Sequence, residues 1–137
     1  MYQNILVPVA LDHDHGANTQ TALNIARSLC DDGGKITLLH VTEPLHAEVS
    51  QYIPAEVLEG NKASLIADLR QLAGDMENAR TEVLPGSAGI TITDYAKQHK
   101  ADLIIVASHR PGLRDYFLGS TAARVVRHAN CAVHVVR

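Results

Sequence analysis

Short apolar runs alternate along this chain with segments of helical periodicity, and polar clusters separate them. The run N-I-L-V-P-V-A-L over residues 4–11 stops at D-H-D-H-G-A-N-T-Q, as a buried parallel strand does, which predicts a first strand ending near Ala10. Ala22, Ala26, Leu29 and Cys30 recur at helical spacing and predict a helix over about residues 17–31, with Gly33-Gly34 as its stop. K-I-T-L-L-H-V-T-E-P reads as a second strand ending at Pro44. Residues 45–60 lack clear periodicity and read as a loop leading into a second helix over about 55–73, marked by Leu58, Leu65, Ile66, Leu69 and Leu72.

A-R-T-E-V-L-P-G-S is a weaker third strand, after which Pro85-Gly86 turns the chain into a helix that Ser87 is placed to cap and that runs to about Gln98. A-D-L-I-I-V-A-S, residues 101–108, is the most apolar strand and too continuous for an edge, so it belongs in the middle of a sheet. Beyond the 107–118 loop, Ala122, Val125, Val126 and Ala129 predict a fourth helix starting near Gly119 or Ser120, and C-A-V-H-V-V closes as a fifth strand. The order βαβαβαβαβ predicts an α/β, doubly wound five-stranded parallel sheet with helices on both faces. Ligands of such sheets bind at the carboxyl ends of the strands beside the topological switch point. The loops after strands one and four meet there if those strands are neighbours.

Composition narrows the function. A chain of 137 residues suits one domain, and 46% hydrophobic with 20% charged residues and a net charge of −3 fits a soluble protein without the basic surface of a nucleic-acid binder. No apolar run reaches the roughly 18 residues that span a bilayer, and Met1-Tyr2-Gln3-Asn4 lacks the basic start of a signal peptide, so a cytoplasmic protein without membrane partners is expected. Cys30 and Cys131 form no CxxC pair and read as buried free thiols.

The segment from Ser108 to Thr121 carries the candidate chemistry. Ser108, His109, Arg110, Gly119, Ser120 and Thr121 gather hydroxyls, a cation and a glycine around a helix N-terminus, whose unpaired amides and partial positive charge suit a phosphate. An ordinary capped helix is the alternative, since Ser and Thr favour N-caps without any ligand. A Walker A loop is excluded because no lysine precedes Ser120.

The stretch I-I-V-A-S-H-R-P-G-L-R-D-Y-F-L-G-S-T-A-A-R-V-V-R-H-A-N-C-A-V-H-V-V-R resembles the C-terminal third of a universal stress protein of the UspA superfamily, in particular its ATP-binding UspF- and UspG-like branch. I-L-V-P-V, L-L-H-V and P-G-S are similar to the family's first strand, second strand and third-helix turn, so the likeness covers the whole chain. The family's common ATP-binding pattern is G-x-x-G-x9-G-[ST]. Ala107 and Arg110 stand where its first two glycines would be, and eight residues, Pro111 to Leu118, precede Gly119-Ser120, a departure that matches the UspF-like form.

The resemblance implies that Ser108, His109 and Arg110 lie along the phosphates or ribose while Gly119, Ser120 and Thr121 hold the phosphates. Adenine is then expected near Pro8, Val9 and Ala10 on one side and the backbone of Val41 on the other. The family's Pro-x-Asp is here Pro8-Val9-Ala10, so its carboxylate is absent, and Asp12 is the candidate to replace it. The resemblance further implies ATP as ligand, with ADP or AMP as alternatives and Mg2+ as an optional companion. It also implies a homodimer through the last strand, with a tetramer as the larger assembly.

The remaining polar candidates carry less. His13-Asp14-His15 with Asp12 could be imagined around a metal, but adjacent loop residues seldom close a coordination shell, and no dedicated metal site is expected. His40 and His134 read as packing or interface residues, Arg124, Arg127 and His128 as an exposed helix face, and Asp102, at the amino end of its strand, as structural. The leading expectation is an ATP-binding stress-response module acting as a nucleotide-dependent regulator or protectant. A slow ATPase or autophosphorylating enzyme and a nucleotide-free interaction scaffold are the alternatives.

Overall fold

Five parallel strands in the order β3-β2-β1-β4-β5 form the sheet, and the computed structural model describes residues 1–11, 16–44, 47–108 and 118–137. The strands are β1 (Tyr2–Pro8), β2 (Cys30–Thr42), β3 (Ala79–Pro85), β4 (Leu103–Ala107) and β5 (Ala132–Val136). The helices are α1 (Gly16–Leu29), α2 (Ala47–Ser50), α3 (Ala55–Ala73), α4 (Ala88–Gln98) and α5 (Ser120–His128). The chain runs from β1 through β2 to β3 and then returns to the other side of β1 with β4, so the winding reverses between β1 and β4. This is the doubly wound α/β architecture, with the apolar β4 paired on both sides and β1 at the centre.

Alternation along each strand builds two cores. Ile5, Val7 and Val9 of β1 and its extension join Ile36, Leu38 and Ile105 under α1 and α3. Leu6, Leu39, Ile104 and Val106 face the other way, under Ile92 and Tyr95 of α4 and Ala122 and Val125 of α5. Both faces are thereby covered, which is why these strands read as continuous apolar runs.

At the amino edge, the Asp102 carboxylate accepts hydrogen bonds from the Gln3 and Asn4 amides at 2.8 and 3.0 Å. Asn4 in turn donates its side-chain amide to the carbonyls of His99 and Lys100 at 2.7 and 3.1 Å. This clamp registers β1 against the start of β4, so Asp102 has a structural part far from the carboxyl edge. Asp102→Ala is expected to lower unfolding free energy by about 1–2 kcal/mol, because two amides lose a charged acceptor at a partly wet site. Urea denaturation measures it, and an unchanged midpoint would mean that water replaces the carboxylate.

Four local readings change. Gly33-Gly34 does not stop the first helix, which ends at Leu29; it lies within β2. Tyr2 pairs with Cys30 and Asn4 with Lys35, so two steps along β1 match five along β2, and the glycines absorb the excess. Gly33 takes a left-handed φ of 81°, and a Cβ on Gly34 would stand 2.8 Å from Cys30 Sγ. The segment read as a loop contains the short α2. Ser87 occupies the N-cap position of α4, but its side chain makes no capping hydrogen bond. The two cysteines are free, yet half-buried rather than buried. Burial, followed by the charge of Asp102, pushes both thiols above their ordinary range, with Asn78 opposing the shift at Cys30. Neither is poised as a thiolate nucleophile.

Candidate functional site

The carboxyl edge at the β1/β4 switch point is formed by the ends of β1 at Pro8, β2 at Thr42 and β4 at Ala107, with the first turn of α5 beside them. Side-chain alternation decides which residues share a side. Leu6 belongs to the α4/α5 core and Val41 packs against it, so Pro8, two residues beyond Leu6, and Val41 lie on the side from which α5 starts. Both are half-buried, and Ala10 is exposed. Pro8, Ala10 and Val41 thus lie at the same carboxyl edge of the sheet from which α5 starts.

Val9 takes a different place. Its side chain is only 4% exposed and belongs to the α1/α3 core, while its amide donates to the Leu39 carbonyl at 2.8 Å. Val9 thus anchors the end of β1 rather than walling a ligand. Ser108 is equally buried, at 1% exposure; its amide donates to the Val136 carbonyl at 2.8 Å. Its carbonyl accepts from the Gly119 amide, which ties the end of β4 to the start of α5. His109, Arg110 and Asp12 lie outside the described residues, as do His13, Asp14 and His15.

Gly119 is the N-cap of α5, with φ −60° and ψ 159°, and no side chain caps the helix. The Ala123 amide donates to the Gly119 carbonyl at 2.9 Å, the first bond of the helix. The amides of Ser120, Thr121 and Ala122 precede any intrahelical acceptor, and no hydrogen bond from the described residues occupies them. Gly119 differs in that Ser108 already engages its amide. The unoccupied donors at this end therefore belong to the residues after the glycine. Ser120 is exposed and Thr121 half-buried, so both hydroxyls stand beside these amides at the accessible end of the helix. Three open amides at a helix N-terminus carry partial positive charge and suit a phosphate.

Arg127 and His128 occupy the last turn of α5, at the opposite end from these amides, where positive charge complements the helix dipole. Arg124 lies against Gly89 of α4, where a Cβ would stand 2.6 Å from Arg124 Cδ, so this arginine packs two helices together. Among the described residues no cluster of three His, Cys, Asp or Glu side chains gathers to hold a metal. A cleft of about 170 Å³ lined by Lys97, Lys100, Asn130 and Cys131 opens at the amino edge, remote from the crevice. A wider one of about 500 Å³ lies beyond Leu11, between Gln20 of α1 and Asp68 and Gln71 of α3.

His40, expected as a packing or interface residue, also has a polar task. It is 4% exposed, and its Nδ1 lies 2.8 Å from the Val9 carbonyl and 3.3 Å from the Leu11 amide. Its sequence signal, a polar residue inside the run L-L-H-V, marks a buried group that must find a partner but not which partner.

The chain matches, over residues 1–137, the family model described as Universal stress protein family. Universal stress protein G of Escherichia coli O157:H7 is 30% identical over 145 residues, covering all of both chains. The solved structure of universal stress protein UspA from Lactobacillus plantarum superposes with a TM-score of 0.76 at 34% identity, covering 99% of this chain and 98% of that one. A universal stress protein solved in complex with cAMP has a TM-score of 0.70 at 22% identity, covering 99% and 97%. An Archaeoglobus fulgidus protein in complex with dAMP has a TM-score of 0.62 at 18% identity, covering 99% and 98%. An Arabidopsis thaliana protein with AMP bound has a TM-score of 0.63 at 20% identity, covering 98% and 90%.

Proposed function

Given that the chain belongs to the universal stress protein family, we propose that it is an adenine-nucleotide-binding module whose crevice takes the nucleotide between Pro8, Ala10 and Val41 and seats its phosphates on the first turn of α5. The observation that carries this reading is the set of open amides of Ser120, Thr121 and Ala122 behind an N-cap glycine, at the switch point where such sheets bind ligands. Three structures of the same fold hold cAMP, dAMP and AMP, which supports adenine as the base.

ATP is the nucleotide of this reading, with ADP and AMP sharing the base and the first phosphate. Ala10 presents a methyl group where a carboxylate would reach a metal, so Mg2+ enters on the triphosphate and not on that residue. The chemistry proposed is binding. A ligand held only by the folded form stabilises it by about 2.7 kcal/mol at a hundredfold excess over Kd, enough to favour one conformation or assembly in a cytoplasmic stress or energy response. The assembly proposed is a homodimer along β5, extending to a tetramer. That strand has no second neighbour in the described sheet, and Ala132 and His134 are exposed on it, an edge that a second chain would close.

Thermal unfolding with ATP, ADP and AMP, each with and without Mg2+, tests the reading. At a hundredfold excess the melting temperature is expected to rise by roughly 9 °C for a chain of this size. No rise at millimolar nucleotide would remove the binding reading and leave an interaction scaffold.

A further inference from the structure

We infer that the outer edge of β3 is an interface with a second copy of this chain, paired antiparallel about a two-fold axis at Thr81, so that Arg80 of each copy faces Glu82 of the other. This edge lies across the sheet from β5, and its pairing does not depend on the nucleotide reading.

The backbone decides which groups the edge offers. The Ile36 amide donates to the Asn78 carbonyl at 3.0 Å and the Gly86 amide to the Thr42 carbonyl at 2.9 Å, so residues 78 and 86 direct their peptide groups at β2. Peptide groups alternate sides along a strand, so Arg80, Glu82 and Leu84 also bond toward β2, while Ala79, Thr81, Val83 and Pro85 turn theirs to the open edge. The Ala79 amide is taken by the Met76 carbonyl at 3.3 Å, and Pro85 has no N–H. The amides and carbonyls of Thr81 and Val83 and the carbonyl of Ala79 remain, and no hydrogen bond from the described residues engages them.

The side chains decide the register. Ala79 and Val83 pack with the α1/α3 core and Leu84 with the α4/α5 core, so Arg80 and Glu82 lie on the α4/α5 side, the first exposed and the second half-buried. Among the described residues neither has an ion-pair partner. Outward residues must oppose outward residues, which allows a two-fold axis at Arg80, Thr81 or Glu82. An axis at Arg80 sets two guanidinium groups directly opposite each other, and an axis at Glu82 does the same with two carboxylates. With the axis at Thr81, the two Thr81 residues exchange both hydrogen bonds, and each Val83 amide meets the other copy's Ala79 carbonyl. The non-hydrogen-bonded pairs between them, whose Cα atoms stand about 4.5 Å apart, are then both Arg80 with Glu82. Opposite charges across strands attract and like charges repel. An edge guarded by one sign of charge repels a second copy in every register, whereas this alternating pair repels it in two and attracts it in the third. That is the self-complementarity a two-fold interface requires.

Sedimentation velocity at low salt, where ion pairs are least screened, tests the pairing on wild type, Arg80→Glu, Glu82→Arg and an equimolar mixture of the two variants, with circular dichroism confirming each fold. Wild type is expected to self-associate. Each variant alone puts like charges at both close pairs and should weaken that step by about tenfold or more, so that near the wild-type Kd the weight-average mass falls toward half or below. The mixture sets two acidic positions of one variant against two basic positions of the other, so the wild-type mass should return. A wild-type monomer would overturn the pairing, as would single variants that keep the wild-type mass, the behaviour of an assembly held by β5 alone. A mixture that stays dissociated would overturn the register and the two-fold at Thr81 with it.

Discussion

Replacing Ser120 with proline is expected to weaken ATP binding by about tenfold to a hundredfold while leaving the melting temperature of the nucleotide-free protein nearly unchanged. Ser120 is the first residue of α5, the position where proline is favoured because its missing N–H has no intrahelical acceptor. The preceding residue must be extended, and Gly119 already is, at φ −60° and ψ 159°. The substitution therefore suits the free helix and removes only what a phosphate would use, one amide and one hydroxyl. A hydrogen bond to a charged group contributes about 1.5–3 kcal/mol, so losing the amide alone accounts for a tenfold to hundredfold loss, to which the missing hydroxyl adds. Calorimetric titration against ATP measures it, with a melting curve as control. Undiminished affinity would mean that the phosphates do not rest on the first turn of α5.

The largest stability effect is expected at Ile104. Its side chain is 0% exposed in β4, in register with Leu6 of β1 and Val133 of β5 and beneath the helices α4 and α5. Ile104→Ala removes buried methyl groups and leaves a cavity that flanking strands cannot readily close, at a cost of about 2–5 kcal/mol. For a chain of this size that lowers the melting temperature by roughly 7–17 °C. The measurement is made without nucleotide, since bound ligand raises the transition by mass action. Tyr52→Ala, at a side chain 80% exposed, is the contrast and should stay within about 0.5 kcal/mol. An Ile104→Ala loss below about 1 kcal/mol would show that the two layers repack around the gap.

The architecture was legible because buried parallel strands cannot alternate with polar residues, so I-L-V, T-L-L and L-I-I-V announce themselves and the helices between them force parallel pairing. The second long helix spans the residues that Leu65, Leu69 and Leu72 predicted, yet Leu58, counted among its core positions, is 43% exposed. Periodicity finds a helix but does not say how far the sheet beneath it extends. Gly33-Gly34 misled for a related reason. A glycine pair marks a backbone that side chains forbid, and a helix stop and a strand irregularity make the same demand.

The site was legible as a region and less so by residue. Gly119, Ser120 and Thr121 stand at the helix start that their spacing implied. The capped-helix alternative placed a Ser or Thr hydroxyl at the N-cap, whereas glycine holds it and the hydroxyls follow. Val9 could not be assigned from sequence, because a residue just beyond a strand faces core or crevice according to whether the ladder continues by one more bond, as it does to Leu39. The partner of His40 was hidden in the same way. A buried imidazole announces an unmet hydrogen bond, and only the register of β1 against β2 brings the Val9 carbonyl to it.

The most direct test of the account is a map of backbone amide chemical shifts as ATP is titrated into isotope-labelled protein. The largest changes are expected at Ser120, Thr121 and Ala122 and at Ala10 and Val41, with the amino-edge amides of Gln3, Asn4 and Asp102 unmoved. Saturable changes centred on the amino edge, or none at millimolar ATP, would contradict it.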